Sequence, residues 1–355
     1  MRFTRTVCGF LLGALAGCAS TSPPPAEPPP DPLDCRVSGA IGDVAAVRRE
    51  SGELVVVGGG LHLLRSNDLG ASWRRERLPV RCRWPGIAEV GRRLVVSCSE
   101  PQAPGRVLVI AERADGSWSA PVEVDATREL IIDTGLQAVG GDEVLLFATH
   151  VDSRDDLDDA VYSIRRYRST DGAASWAPAV DVAVGRRGEH LEDTRSVHLG
   201  GGELLMVYEL EGREAGPSRL NQLRSGDGGQ TWSPPEVVWQ GSDVEPGGYV
   251  RFDDGELWLV ASSDAAAGGG SYDRALIQAR RSGDAGASWS EPEVLVEREN
   301  QISFGGVVLP GGEVLLPSLR FYTERDRRRL SLYVVDREGE RPPRCAAARK
   351  PAKRR

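Results

Sequence analysis

The sequence predicts an all-β chain folded as a six-bladed β-propeller with four-stranded antiparallel blades. A pattern of the form S-x-D-x-G-x-[ST]-W occurs four times, and six short apolar runs follow polar, glycine-rich turns. Repetition of one unit at intervals of tens of residues is typical of propellers and solenoids. No long segment carries the apolar period and the capping residues of a helix.

The four copies of the pattern predict four turns of one kind. They occupy residues 66–73, 169–176, 225–232 and 282–289. The first interval is about twice the later ones, and a degenerate copy lies within it at residues 115–118. Asp and Gly suit a tight turn, Ser or Thr closes it, and Trp packs on the sheet. We therefore expect structural roles for Asp68, Asp171, Asp227, Asp284, Trp73, Trp176, Trp232 and Trp289.

The six apolar runs predict one buried strand for each blade. They are rich in Val and Leu, are too short for helices, and are bounded by Gly and Asp. Continuous apolar character suits a strand that is covered on both faces. The runs occupy residues 53–57, 93–97, 143–147, 203–207, 256–260 and 313–317. We place the propeller at residues 35–340, which gives about 50 residues for each blade.

The repeated pattern resembles the Asp box, or BNR repeat, of the sialidase superfamily of six-bladed propellers. The resemblance covers about residues 36–340. It is specific for the fold but not for the reaction, because Asp boxes also occur in propellers that are not sialidases. It implies an exo-α-sialidase with an arginine triad for the substrate carboxylate, an Asp acid/base and a Tyr nucleophile assisted by Glu. The family's Phe/Tyr-Arg-Ile-Pro motif is absent, and no Tyr stands near Ser303 and Phe304, where the nucleophile is expected.

The resemblance also implies that the functional pocket opens on the rim opposite the Asp boxes. Long loops are predicted there at residues 150–161, 209–220, 262–274 and 319–330. Carboxylates suit acid/base catalysis, arginines suit anionic groups, and aromatic rings stack on sugars. The candidate catalytic residues are Asp133, Glu192, Asp193 and Tyr322. The candidate ligand-binding residues are Trp84, Arg195, Tyr249 and Arg320, with packing between blades as the alternative for Trp84 and Tyr249.

The N-terminus predicts a bacterial lipoprotein. A basic start and a short apolar stretch lead to Leu15-Ala16-Gly17-Cys18, which resembles a lipobox. We expect removal of residues 1–17, lipid on Cys18, and a proline-rich extended linker through residue 34. Residues 341–355 are predicted to be a basic, disordered tail. The expected location is the cell envelope, with a lipid anchor at the outer membrane, in the periplasm or at the cell surface.

Cysteine content and charge limit the disulfides, binding partners and cofactors that we expect. Four cysteines remain after Cys8 and Cys18 are set aside, and an even number suits disulfides in an oxidising compartment. We favour the pairs Cys35–Cys345 and Cys82–Cys98, although two other connectivities are open. The formal net charge is −8 although both ends are basic, so the propeller itself is acidic and nucleic acid is not the expected partner. No spacing predicts a metal site, and we expect no cofactor.

Two functional hypotheses follow. The first is an exo-acting glycosidase of the sialidase type that acts on cell-surface or extracellular glycans. The second is a non-catalytic propeller that binds a glycan or an envelope protein, as an interaction or assembly module. Both include contact with the membrane through the lipid anchor, and both assume a monomer.

Overall fold

The computed structural model describes residues 36–38, 42–59, 62–81, 83–100, 102, 104–212, 217–241, 244–264, 275–297, 301–320, 329–339 and 343–346. Six antiparallel sheets form the six blades of a β-propeller, so the fold class predicted from the sequence is confirmed. Among the described residues the one helical segment is a single 3-10 turn at Leu157–Asp159. The predicted signal peptide, lipid-bearing Cys18 and linker lie outside the described residues.

Strand β1 (Arg36–Ser38) belongs to the last blade, and blades 1 to 5 are each built from consecutive strands. Blade 1 contains β2 (Gly42–Arg48), β3 (Leu54–Gly59), β4 (His62–Ser66) and β5 (Arg74–Arg77). Blade 2 contains β6 (Arg83–Val90), β7 (Arg93–Glu100), β8 (Gly105–Ala111) and β9 (Val122–Thr127). Blade 3 contains β10 (Leu130–Gly140), β11 (Glu143–Val151), β12 (Tyr162–Ser169) and β13 (Val180–Val184).

The next two blades repeat the same order from the axis outward. Blade 4 contains β14 (Glu189–Gly200), β15 (Glu203–Gly212), β16 (Arg219–Ser225) and β17 (Glu236–Gln240). Blade 5 contains β18 (Glu245–Arg251), β19 (Leu257–Asp264), β20 (Ala275–Ser282) and β21 (Glu293–Val296). Each of the six apolar runs identified in the sequence lies in the second strand of a blade.

Blade 6 closes the ring with strands from both ends of the propeller. Its inner strand is divided into β22 (Gln301–Ser303) and β23 (Val307–Val308), which both pair with β24 (Val314–Arg320). The third strand, β25 (Arg329–Val335), pairs with β1 and with β26 (Arg344–Cys345). The N-terminal strand therefore completes the C-terminal blade.

The propeller extends past the boundary predicted at residue 340. Strand β26 lies within the segment predicted as a disordered tail, and Ala346 is buried in the core beside it. The reason is the free edge of β25, whose unpaired backbone groups are partly covered by β26. Cys98 lies in β7 and Cys345 in β26, but Cys82 and Cys35 lie outside the described residues. The disulfide pairing stays a prediction.

The core is divided among the interfaces between neighbouring blades, which explains why the second strands are apolar at every position. In β15, Leu204 and Met206 pack toward blade 3. Leu205 and Val207 of the same strand pack toward blade 5. Both faces of each second strand are covered, so the period-two alternation of a half-exposed strand is lost.

Each intact Asp box closes the turn between the third and fourth strands of its blade. In blade 3, Ser175 donates to Asp171 from its backbone N–H at 2.9 Å and from its hydroxyl at 2.5 Å. Ser169 donates its hydroxyl to Asp171 at 2.8 Å and accepts the Ala173 N–H at 3.0 Å. These donors, led by the Ser175 hydroxyl, lower the pKa of Asp171 to about 2. The same bonds recur at Asp68, Asp227 and Asp284.

Substitution of the first serine of a box tests its structural role. Ser225 is 1% exposed, donates to Asp227 at 2.8 Å and accepts the Gly229 N–H at 2.9 Å. We expect Ser225→Ala to lower the free energy of unfolding by about 1 kcal/mol or more, because a buried N–H loses its acceptor. Urea denaturation measures this, with the exposed Ser51→Ala as the control. Equal stability of the two variants would contradict the structural role of the box.

Candidate functional site

The inner strands of all six blades surround a cavity of about 130 Å³ on the propeller axis. Every inner strand begins at the same end of this channel, which we call the mouth. The cavity lining begins there with Val44, Pro85, Thr134, Thr194, Gly247 and Phe304. Third strands run in the same direction as inner strands, so the Asp-box turns that follow them lie at the opposite end.

The inner strands of blades 1 to 5 share a break in register at the mouth. In three blades the break holds a non-glycine residue in the left-handed region: Trp84 (φ 47°), Asp133 (φ 49°) and Asp193 (φ 54°). Bulges redirect side chains, and such strained positions cost about 1–3 kcal/mol each and concentrate at functional sites. These three candidates from the sequence thus occupy equivalent places around the axis.

Asp133 and Asp193 connect blades 3 and 4 at the mouth. The Asp133 carboxyl oxygen Oδ2 accepts the backbone N–H of Asp193 at 3.1 Å. Asp133 is 8% exposed. Burial, followed by the charges of Asp193 and Glu192, raises the pKa of Asp133 well above its ordinary value. A buried carboxyl beside other carboxylates favours its neutral form.

Arg195 supplies the positive charge next to these carboxyl groups. Its Nη2 donates to Asp193 Oδ1 at 3.1 Å, and its Nη1 donates to the carbonyl oxygen of Thr194 at 3.1 Å. Arg195 is the one arginine among the described residues that line the cavity. The arginine triad that the sialidase resemblance implies is therefore not assembled from the described lining residues.

Three glutamates complete a carboxyl cluster with Asp133 and Asp193. Glu192 lies directly opposite Glu209 in the β14–β15 pairing. Burial, followed by the charges of Asp193 and Glu211, raises the pKa of Glu192 to about 8. Glu209 is 6% exposed and Glu245, at the start of β18, is 8% exposed. Burial and the charge of Asp193 raise the pKa of both well above the ordinary value.

Two buried polar atoms at the mouth have no hydrogen-bond partner among the residues that the structure describes. One is Oε2 of Glu245 and the other is the hydroxyl oxygen of Thr194. Buried polar atoms are satisfied in the great majority of native structures, so each unpaired one needs an explanation. Thr194 belongs to the cavity lining and Glu245 begins β18, so both atoms lie at the mouth.

The other sequence candidates differ in placement. Trp84 accepts a hydrogen bond from the Thr134 hydroxyl on its carbonyl oxygen at 2.6 Å. Tyr249 donates its hydroxyl to Gln222 at 3.1 Å and lies 6.1 Å from the Trp289 ring, in the core between blades 4 and 5. Arg320 ends β24, but its side chain is outside the described residues, as is all of Tyr322.

Glu209 and Glu245 were not identified from the sequence. An alignment of the six inner strands would have found Glu245, because it begins β18 just before the register break, near the place that Asp133 holds in β10. Nothing comparable distinguishes Glu209, which follows an apolar run and resembles an ordinary solvated strand end. Its burial and its link through Ser218 to Val244 are seen only in the structure.

Residues 105–341 match the BNR repeat-like domain family. The chain belongs to this family. No curated protein matches this BNR-repeat chain. The predicted resemblance to the Asp-box propellers of the sialidase superfamily is thus confirmed for the repeat and the fold, whereas the lipoprotein signal stays a prediction.

Solved structures similar to this BNR propeller include enzymes that act on different sugars. An α-L-arabinanase of Penicillium chrysogenum complexed with arabinobiose has a TM-score of 0.64 and 15% identity, covering 85% of this chain and 95% of that one. The GH93 α-L-arabinofuranosidase of Fusarium graminearum with arabinobiose has a TM-score of 0.60 and 12% identity, covering 85% of this chain and 95% of that one. A Hadza microbial sialidase has a TM-score of 0.60 and 13% identity, covering 84% of this chain and 66% of that one. At such identities the likeness shows the fold alone.

Two features are absent from the described part of this BNR chain. No group of three or more His, Cys, Asp or Glu side chains within it is arranged to hold a metal ion. No helix found there is long and apolar enough to cross a membrane.

The raised pKa of Glu192 predicts that this residue lowers the free energy of unfolding as the pH rises. Because the folded pKa, about 8, exceeds the unfolded value of 4.5, folding favours the protonated form. This stabilisation is complete below pH 4.5 and is lost as the pH rises through 8. Glu192→Gln stays neutral at every pH. We therefore expect its free energy of unfolding to equal that of the wild type at pH 4 and to exceed it by more than about 1 kcal/mol at pH 7.

Urea denaturation between pH 4 and pH 8 measures this difference. Glu236→Gln, at an exposed position on β17 of the same blade, is the matched control. A difference in the free energy of unfolding between Glu192→Gln and the wild type that does not change with pH would contradict the raised pKa of Glu192.

Proposed function

We propose that the mouth is the active site of an exo-acting glycoside hydrolase that uses carboxyl groups from two neighbouring blades and acts on uncharged glycans. The observation that carries the proposal is the pairing of two unlike carboxyl groups. Glu245 of blade 5 is buried and has a raised pKa, and its Oε2 has no hydrogen-bond partner among the described residues. Asp193 of blade 4 is ion-paired with Arg195 at 3.1 Å.

Glycoside hydrolysis needs such a pair. A neutral carboxyl group protonates the glycosidic oxygen as its bond to the anomeric carbon breaks. An ionised carboxylate opposes the positive charge that develops on the sugar ring, and it either attacks the anomeric carbon or removes a proton from the attacking water. Burial and a raised pKa suit Glu245 to the role of acid, and the ion pair with Arg195 suits Asp193 to the role of carboxylate. Glu245 is the acid in this proposal, and Asp193 is the carboxylate.

The charge of the mouth supports an uncharged substrate. A sialoside carries a carboxylate, which the sialidase superfamily holds with three arginines. Here the described cavity lining contributes Arg195, which is already bonded to Asp193, and four further acidic groups surround it: Asp133, Glu192, Glu209 and Glu245. An anionic sugar would therefore find no arginine among the described lining residues that is not already ion-paired. Arabinobiose, present in two of the similar structures, is an uncharged disaccharide.

The location on the propeller axis supports action at chain ends. The cavity lies on the axis and is lined by residues from all six blades. A pit of this kind admits the end of a glycan chain more readily than its middle. We therefore retain the exo-acting mode that the sequence led us to expect.

Carboxamide variants test the pair directly. We expect the purified propeller to hydrolyse uncharged disaccharides such as arabinobiose in preference to sialyllactose. Glu245→Gln and Asp193→Asn should each lower kcat by about a hundredfold or more, because each removes one of the two groups that the chemistry requires. Product release is measured by chromatography. The exposed Glu236→Gln and Asp253→Asn are matched controls with unchanged rates.

Preference for sialyllactose, or full activity of either carboxamide variant, would contradict the proposal. The absence of the family's arginine motif favours a second candidate, a non-catalytic propeller that binds glycans. In that case calorimetry would detect binding of an uncharged disaccharide to the wild type, with no hydrolysis after prolonged incubation.

We also propose that the mature protein is held at the bacterial envelope by lipid on Cys18. The lipobox Leu15-Ala16-Gly17-Cys18 and the proline-rich residues that follow support this proposal. In a bacterial host fed labelled palmitate, the wild type should take up label and enter the detergent phase. Cys18→Ser should do neither, and Cys8→Ser is the matched control. Unlabelled wild-type protein in the soluble fraction would exclude the anchor.

A further inference from the structure

Ser218 forms a polar link between blade 4 and the start of blade 5. Its hydroxyl oxygen lies 2.6 Å from Oε1 of Glu209 and 3.0 Å from the carbonyl oxygen of Val244. All three residues are buried. Val244 immediately precedes Glu245, the acid of the proposed reaction. The link therefore reaches the residue whose position matters most for proton donation.

Proton counting decides how this link is made. The Ser218 hydroxyl has one proton, and a carbonyl oxygen can only accept. If Glu209 were ionised, the hydroxyl could satisfy Glu209 or Val244, and the other oxygen would face a lone pair. If Glu209 is protonated, it donates to Ser218, and Ser218 donates to Val244. Only the second arrangement gives every contact in the link a proton.

We propose that Glu209 is a neutral carboxylic acid that positions Glu245 through Ser218 and Val244. The inference rests on the proposed function for its catalytic consequence, although the protonation state of Glu209 does not depend on it. Glu209 acts as a positioning residue, because its proton is directed at Ser218 and is not offered to the substrate.

The surroundings of Glu209 agree with a neutral carboxyl. The charged groups among the described residues that raise its pKa are Asp193 and Glu192 from β14 and Glu211 from its own strand. All are acidic, and burial is the largest contribution to the raised pKa of Glu209. Because no base is among these described groups, they favour the protonated form of Glu209.

The consequence for catalysis concerns leaving groups. A misplaced acid slows the cleavage of substrates whose leaving group needs protonation, but it hardly affects substrates that release an already stable anion. A general loss of structure would slow both kinds of substrate. Comparison of the two kinds thus separates positioning of Glu245 from a merely structural role of the link.

The experiment combines Ser218→Ala, Glu209→Ala and Glu209→Gln with two substrates. With a disaccharide substrate we expect Ser218→Ala and Glu209→Ala to lower kcat by about tenfold or more, with little change in KM. With the matching dinitrophenyl glycoside both should stay within about twofold of the wild type. Glu209→Gln should keep its activity on both substrates, because an amide N–H also donates to Ser218.

Infrared difference spectroscopy tests the proton itself, with or without hydrolysis. At pH 7, the wild-type spectrum minus that of Glu209→Gln should contain the band of a protonated carboxyl group, shifted by ¹³C labelling of glutamate. A carboxylate band in its place would overturn the inference. Equal losses on both substrates, or failure of Glu209→Gln to retain activity, would also overturn it. If no variant and no wild type hydrolyses any glycan, the proposed function fails while the infrared result still decides the state of Glu209.

Discussion

Closure of six blades around one axis is the constraint on which the rest of this molecule depends. The pairing of β1 with β25 makes the first and last parts of the propeller one sheet, so the ring cannot open without breaking that blade. Closure gives every blade two neighbours, and the second strands are buried on both faces as a result. It also brings the starts of all inner strands together at the mouth.

The mouth contains strained backbone positions and buried carboxyl groups, which are both unfavourable for stability. Three non-glycine residues, Trp84, Asp133 and Asp193, have positive φ angles there. Carboxylates of blade 4 lie close enough to raise the pKa values of Asp133 in blade 3 and Glu245 in blade 5. Both features oppose folding, and the apolar interfaces between blades offset their cost. Natural proteins commonly break local rules of stability where activity requires it.

The sequence predicted the fold well because each blade is a local unit. The Asp boxes and apolar runs recur within short spans, so their pattern survives in a single sequence. Asp133, Glu192 and Asp193 were accessible to the same reasoning, because they begin inner strands. Their convergence could be expected once a closed ring was assumed.

The remainder of the site depends on contacts between distant parts of the chain. Glu209 is linked through Ser218 to Val244 at the start of blade 5, a contact that no local pattern predicts. Tyr249 combines both roles weighed from the sequence, since it lines the axial cavity and also packs near Trp289. The end of the propeller was placed too early because β26 is too short to be recognised as a strand.

The central claim is that Glu245 and Asp193 act on the same glycosidic bond. A crystal structure of the Asp193→Asn variant with bound arabinobiose tests it most directly. The account predicts one sugar inside the mouth, with the glycosidic oxygen within hydrogen-bond distance of Glu245 and the anomeric carbon next to residue 193. A disaccharide bound on another surface, or one that lies in the mouth without touching Glu245, would contradict it.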